Sequence, residues 1–364
     1  MAFPSGWAWK CPLAIDHTKV TADLYNKDVL FVAANMPTGG SGDFWTNVQA
    51  GGGDIRFTSD AAGATPLHFE VVEINTSTPT TQIWVNVPYV ASGVNTTIYV
   101  WYKNPAATMP AANDPTWGSQ GVWDANYVGV WHMDDATGAD VLDSTANAVT
   151  LAQTNSPTQG TAVIDGGLTF NGSNQRVNGT SPDLSGATTV EQWLNAQGNG
   201  WYLGNFNSAG SYCQVGLYYG PYWAEWDIYI NYTNYYWYWH SVGFGNYNHV
   251  AFTNDGAGNA GSCLFYANGE SQSLAGSNPH TPPAVGNCGS LGFGRAGDGY
   301  PTGGVFTACK LDEVRISNIV RSADWIKTGY NNQNAPAAFS SPGTPVMTAS
   351  ETSMAFVDGA FVLS

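Results

Sequence analysis

Between residues 201 and 239 the chain carries fifteen tryptophans and tyrosines, running from Trp201 and Tyr202 to Trp237, Tyr238 and Trp239. Flat rings with a polar edge suit a sugar, whose C–H face is apolar and whose rim is hydroxylated. Tyr218, Tyr219, Tyr222, Trp223, Trp226, Tyr236 and Tyr238 are therefore candidate contacts to a glycan or, equally, to a protein partner, since exposed aromatic clusters mark interfaces. Packing is the plain alternative, because a strand sends every second side chain inward. The run Tyr235 to Trp239 puts aromatics on both faces of any strand, so some of them fall outside a core.

Other chemistry is thinly represented. Glu225 and Asp227 alternate along one strand and share a face, about 7 Å apart at a rise of about 3.3 Å per residue. Retaining glycoside hydrolysis asks for two carboxyls about 5 Å apart across a cleft. The histidines, His17, His68, His132, His240, His249 and His280, are scattered, with no His-Glu-x-x-His and no Gly-x-Ser-x-Gly. The expectation is a protein without a catalytic site. Five cysteines, Cys11, Cys213, Cys263, Cys288 and Cys309, show no zinc spacing, and their odd number excludes complete pairing within the chain. Cys263 with Cys213, or Cys288 with Cys309, could bridge neighbouring strands; buried free thiols are the simpler expectation.

The elements that must hold these residues are strands. Charged residues make up 10% of the 364, while glycine reaches 43, a balance of many short strands joined by tight turns. The length allows two domains, each with its own core. Eleven basic against 27 acidic residues give a net charge of −16, which repels phosphate backbones and anionic lipid. Nucleic acid is thus excluded as a partner, and the acidity serves solubility. Dividing the chain near residue 120 leaves 5 basic and 9 acidic residues before it and 6 and 18 after it. No apolar run of about 18 residues is present, so no membrane insertion is expected. The first residues lack a basic and then apolar leader, which suggests a chain that leaves its cell without a signal, as a virion component released by lysis does, or one whose leader has been removed.

Within residues 1–104, apolar β-branched runs at Val29 to Ala33, Asp54 to Thr58, Phe69 to Ile74, Ile83 to Val87 and Thr97 to Tyr102 predict a small β-sandwich. Residues 105–121, rich in proline, predict a stiff linker. A second domain follows over 122–339. Its last segment, Arg321 to Lys327, predicts a helix capped by Ser322 with Asp324 in the first turn. After a linker from Pro342 to Pro345, residues Met354 to Val357 and Ala360 to Leu363 flank Asp358-Gly359 and predict a type I′ hairpin. Such a hairpin is marginal alone, so Met354, Phe356, Val357, Phe361 and Leu363 are expected to pack as an assembly arm, or as a lid on their own chain.

The words Gly52 to Phe57, Pro66 to Val71, Ile83 to Pro88 and Ile98 to Asn104 resemble a family of uncharacterised β-domains that commonly precede a laminin-G-like jelly roll. Val130-Trp131-His132-Met133-Asp134, Asp143-Ser144-Thr145, Gly167 to Gly172, Thr189 to Trp193 and Leu311 to Ser317 resemble that jelly roll, of the concanavalin A-like class. The resemblance implies an all-β chain of two β-sandwich domains, a small N-terminal sandwich and a concanavalin A-like jelly roll, with the C-terminal β-hairpin arm. It implies binding and display rather than turnover. It also implies a structural calcium at Asp143 and Asp312, oxygen ligands that suit this ion; the residues alone also allow Asp143 to cap a turn and Asp312 to pair with Arg315. No cofactor is required. Concanavalin A-like glycosidases carry Glu-x-Asp-x-x-Glu, and here Ile230 stands where the second glutamate belongs. The expectation is a non-enzymatic display protein on a virion surface, a bacteriophage capsid decoration or tail-fibre component. Its partners would be other virion proteins, copies of itself and a host-surface glycan. The alternative is a secreted carbohydrate-binding adhesin on a bacterial surface.

Overall fold

The computed structural model describes residues 3–206, 213–219, 225–230, 234–239, 242–256, 263–278, 288–295, 306–348, 355–357 and 360–362. The chain is all-β, and every described strand pair is antiparallel. It divides into two compact units, Met1–Val122 together with Ala335–Ser364, and Trp123–Asn334.

In the first unit the strand Trp9–Ile15 alternates strictly, burying Trp9, Cys11, Leu13 and Ile15. It lies between Thr96–Tyr102 and the late strand Ser340–Pro342, with Val346–Met347 paired further along the same edge. Arg56–Thr58 and Pro66–Leu67 continue that sheet. A second sheet runs Leu24–Val32, Thr80–Val90, Phe69–Asn75. Phe31, Phe57, Phe69, Ile83, Val100 and Phe339 fill the core of this unit.

Two boundaries differ from those the sequence suggested. The jelly roll does not run on to Phe339: it ends at Asn334, and Pro336–Phe339 is a short helix of the first unit. Asn35 Nδ2 donates to the carbonyls of Pro336 and Ser340, and Asp16 N donates to Phe339 O, which seats Phe339 in the core. Residues 105–121 are no free linker either. Arg56 Nη2 donates to Thr108 O, its guanidinium lies over Trp117, and Gln49 Nε2 donates to Asn104 O and Ala107 O.

Trp123–Asn334 is the jelly roll. Among the described residues it has two eight-stranded sheets, one centred on Thr188–Ala196 and Ala308–Ser317, the other on Glu225–Ile230, Cys213–Tyr219 and Gly200–Phe206. Trp131, Phe170, Leu194, Leu217, Ile228, Phe252 and Phe293 lie in the core between them. The expected helix is present and longer, Ala323–Asn334, with Ser322 Oγ accepting from Trp325 N. Ile326 packs on Ala251 and Tyr266, and Trp193 Nε1 donates to Gln333 Oε1. Cys11, Cys263 and Cys309 are buried free thiols, Cys288 is buried too, and burial pushes the Cys11 thiol up to about 11.

Candidate functional site

The aromatic strands divide by alternation. Val215, Leu217 and Tyr219 are buried, whereas Tyr218 between them is half-buried and lies with its ring centroid 5.1 Å from that of Trp201. Tyr219 meets Phe244 edge-on. Tyr238 is 1% exposed, donates its hydroxyl to Cys263 O and lies against Phe265. Tyr219 and Tyr238 are therefore core residues, not ligand contacts, because they occupy the inward positions of their strands. Trp226 and Tyr236 are in backbone register with Tyr238 and Ile228 respectively, and Tyr218 is in register with Asp227. Tyr222 and Trp223 lie outside the described residues, as do Met354 and Leu363 of the arm. Phe356, Val357 and Phe361 lie in the two-stranded sheet Ala355–Val357 with Ala360–Val362, whose strands pair only with each other among the described residues.

Asp143 proves to be an organiser. Its Oδ1 accepts from Val130 N at 3.0 Å and Thr145 N at 2.9 Å, and its Oδ2 accepts from Thr145 Oγ1 and Val149 N, both at 2.9 Å. Trp131 Nε1 adds a bond to Val149 O. These bonds fold residues 143–150 into a compact loop in which Ala148 takes the left-handed conformation, φ +52°, at a cost of about 1–2 kcal/mol. Observed strain of this kind points toward function.

That loop forms one wall of a cleft of about 450 Å³, faced across the gap by Thr180, Ser181 and Pro182. Its base is set by the close approach of Arg176–Thr180 to the segment that pairs with it; a Cβ on Gly179 would come within 2.6 Å of Thr150 O. The far wall is pinned by Ser181 N donating to Gly289 O and Asn205 Nδ2 donating to Ser181 Oγ. Exposed Thr150 and Thr180 bring hydroxyls to the cleft and exposed Asn147 an amide, whereas the buried Ser181 hydroxyl is already committed, donating to Pro182 O and accepting from Asn205 Nδ2; Val149 and Pro182 add apolar surface, and no lining residue is ionisable. Small-molecule sites have volumes of roughly 300–1,000 Å³ and combine such surfaces. Sequence reading missed this cleft, since its residues are ordinary loop residues; the one signal was Asp143-Ser144-Thr145.

The pair Asp143 and Asp312 does not fit calcium. All four bonds to Asp143 come from donors, which a cation cannot share. Asp312 is fully buried and accepts from Val163 N and Ile164 N, a different set of partners. Burial, then the neighbouring Glu313, push its carboxyl well above the usual carboxylate range. Nor does Asp312 pair with Arg315: that guanidinium bonds Glu313 Oε2 at 2.7 Å, while His132 Nδ1 lies 2.7 Å from Glu313 Oε1. Burial opposes ionisation of Glu313, but His132 and Arg315 hold its carboxyl below the usual value. Among the described residues no group of three His, Cys, Asp or Glu side chains is placed to hold a metal ion.

Sequence profiles agree with this architecture. Residues 51–147 match a domain of unknown function, DUF2341, and residues 170–327 match the concanavalin A-like lectin/glucanases superfamily. The chain is a DUF2341 domain followed by a concanavalin A-like domain. No curated protein matches it. Among solved structures, the sialidase of Trypanosoma rangeli in complex with 2,3-difluorosialic acid is 16% identical, with a TM-score of 0.44 over 68% of this chain and 42% of that one. The botulinum neurotoxin serotype D binding domain is 13% identical, with a TM-score of 0.39 over 57% and 52%. The chain thus spans about half or less of the length of these proteins. Of the cleft's two walls, Thr180–Pro182 falls within the residues matched to the concanavalin A-like superfamily, as do the aromatic strands, while Asn147–Thr150 precedes them in the same compact unit.

Proposed function

We propose that this chain is a non-catalytic binding and display protein whose concanavalin A-like domain recognises glycan, carried on a particle through its C-terminal arm. The observation that carries the reading is the cleft at Asn147–Thr150 and Thr180–Pro182, lined by hydroxyls and an amide and free of ionisable groups. Such a lining offers hydrogen bonds to hydroxylated ligands, whereas acid–base or nucleophilic chemistry asks for a titratable group at the site. Glu225 and Asp227 lie on one strand, Glu225–Ile230, with Ile230 at its end.

The display half rests on the arm. A two-stranded hairpin is marginal in water, and the apolar Ala-Phe-Val strands at 355–357 and 360–362 pair only with each other among the described residues. A bacteriophage virion supplies the neighbours to dock on; the secreted adhesin is the second reading. Val346–Met347 pairs with Trp9–Lys10, so the arm begins after Thr348. Removing residues 349–364 should leave a folded, soluble chain that no longer enters purified particles. Incorporation of the truncated chain at the level of the full chain would contradict the arm.

A further inference from the structure

We propose that the cleft between Asn147–Thr150 and Thr180–Pro182 binds a neutral saccharide directly, without calcium, with Asp143 as the positioning residue that holds the loop in place of a metal ion. This inference rests on the glycan-binding reading above and narrows it to one site and one ligand class.

Three observations carry it. First, the lining has no ionisable side chain, so an acidic sugar would find no counter-charge and a cationic ligand no carboxylate, while a neutral polyol loses nothing by their absence. The net charge of −16 adds to the disfavour for anionic glycans. Second, the side chains of Thr150 and Thr180 are exposed at the cleft, and their hydroxyls make no hydrogen bond to described residues, which leaves donors and acceptors for a sugar rim. Val149 and Pro182 supply the apolar patch that a ring face needs. Third, the loop is rigid by construction. Asp143 takes four donors, and two of them, Thr145 N and Val149 N, belong to the loop's own backbone. Asn147 Nδ2 donates to Tyr127 O, and Trp131 Nε1 holds Val149 O from the buried core. A loop already fixed loses less freedom on binding, and a carboxylate saturated with donors has no lone pair left for a cation.

The test uses the full chain on an array of neutral and acidic oligosaccharides, followed by calorimetry of the best neutral binder in 5 mM calcium chloride and in 5 mM EDTA (both about these concentrations, at the ionic strength of ordinary buffer). The expected result is saturable binding to a neutral oligosaccharide with the same affinity in both buffers. Thr150→Val and Thr180→Val, which keep side-chain shape, should weaken it by up to about tenfold each, the scale of one hydrogen bond. Asp143→Asn should weaken it and lower the melting temperature equally with and without calcium; should that variant fail to fold, the two threonine variants decide. Neutral binding unchanged in both threonine variants, binding confined to acidic glycans, or affinity abolished by EDTA would each overturn the inference and leave the glycan-binding reading standing. No binding to any glycan would overturn both.

Discussion

Gln192 alternates with Val190 and Leu194 along the strand Thr188–Ala196 and so faces the core between the two jelly-roll sheets. It is 1% exposed, and neither its amide nitrogen nor its oxygen has a hydrogen-bond partner among the described residues. An unsatisfied buried polar group costs about 1–3 kcal/mol. Gln192→Met keeps the volume and removes the polar atoms, so it should stabilise the domain by about that amount and raise its melting temperature by several degrees. A lower melting temperature would show that the amide is engaged in the folded protein. At this same scale the sequence was partly legible. Strand alternation placed aromatics on two faces, but it could not say which of Tyr218, Tyr219 and Tyr238 faced inward, because every one of them is an acceptable core or surface residue. The role of Asp143 as a backbone clamp was visible only as one of two alternatives, since a carboxylate before Ser-Thr serves a turn or a cation equally well.

Elements were read best where apolar periodicity is strong. The runs at Val29 to Ala33, Ile83 to Val87 and Thr97 to Tyr102 fall within the strands Leu24–Val32, Thr80–Val90 and Thr96–Tyr102, allowing for one residue at an edge. The helix after Ser322 followed from its cap. What could not be read was the return of Ala335–Thr348 to the first unit. Ser340-Ser341-Pro342-Gly343 has the composition of a linker, and it becomes a strand only because Trp9–Ile15 offers it an open edge. Gly343 N donates to Pro12 O, and Thr348 N donates to Ala8 O along the same edge. Phe339 supplies the apolar anchor; loss of a buried phenylalanine alone costs about 3–5 kcal/mol. A chain ending at Asn334 should accordingly keep the calorimetric transition of the jelly roll and lose that of the first unit. Two transitions of undiminished enthalpy would show that residues 335–348 are dispensable.

For the whole molecule, the jelly roll is an insertion in the connectivity of the first unit, which is begun by Met1–Val122 and completed by Ala335–Ser364. Truncating the C-terminus therefore has two separable consequences: cuts after Thr348 remove only the arm, whereas cuts before Phe339 dismantle a core. The order of the two domains was legible from short words such as Asp312-Glu313-Val314-Arg315. The cleft was not, because it is built by loops that meet only in three dimensions and whose residues carry no charge or periodicity. On the proposed reading, the concanavalin A-like domain holds a glycan without altering it. Overnight incubation of the full chain with the best-bound oligosaccharide, followed by mass spectrometry of the sugar, distinguishes holding from turnover. The oligosaccharide should be recovered intact and still bound; cleaved or transferred product formed in proportion to added protein would overturn the non-catalytic reading.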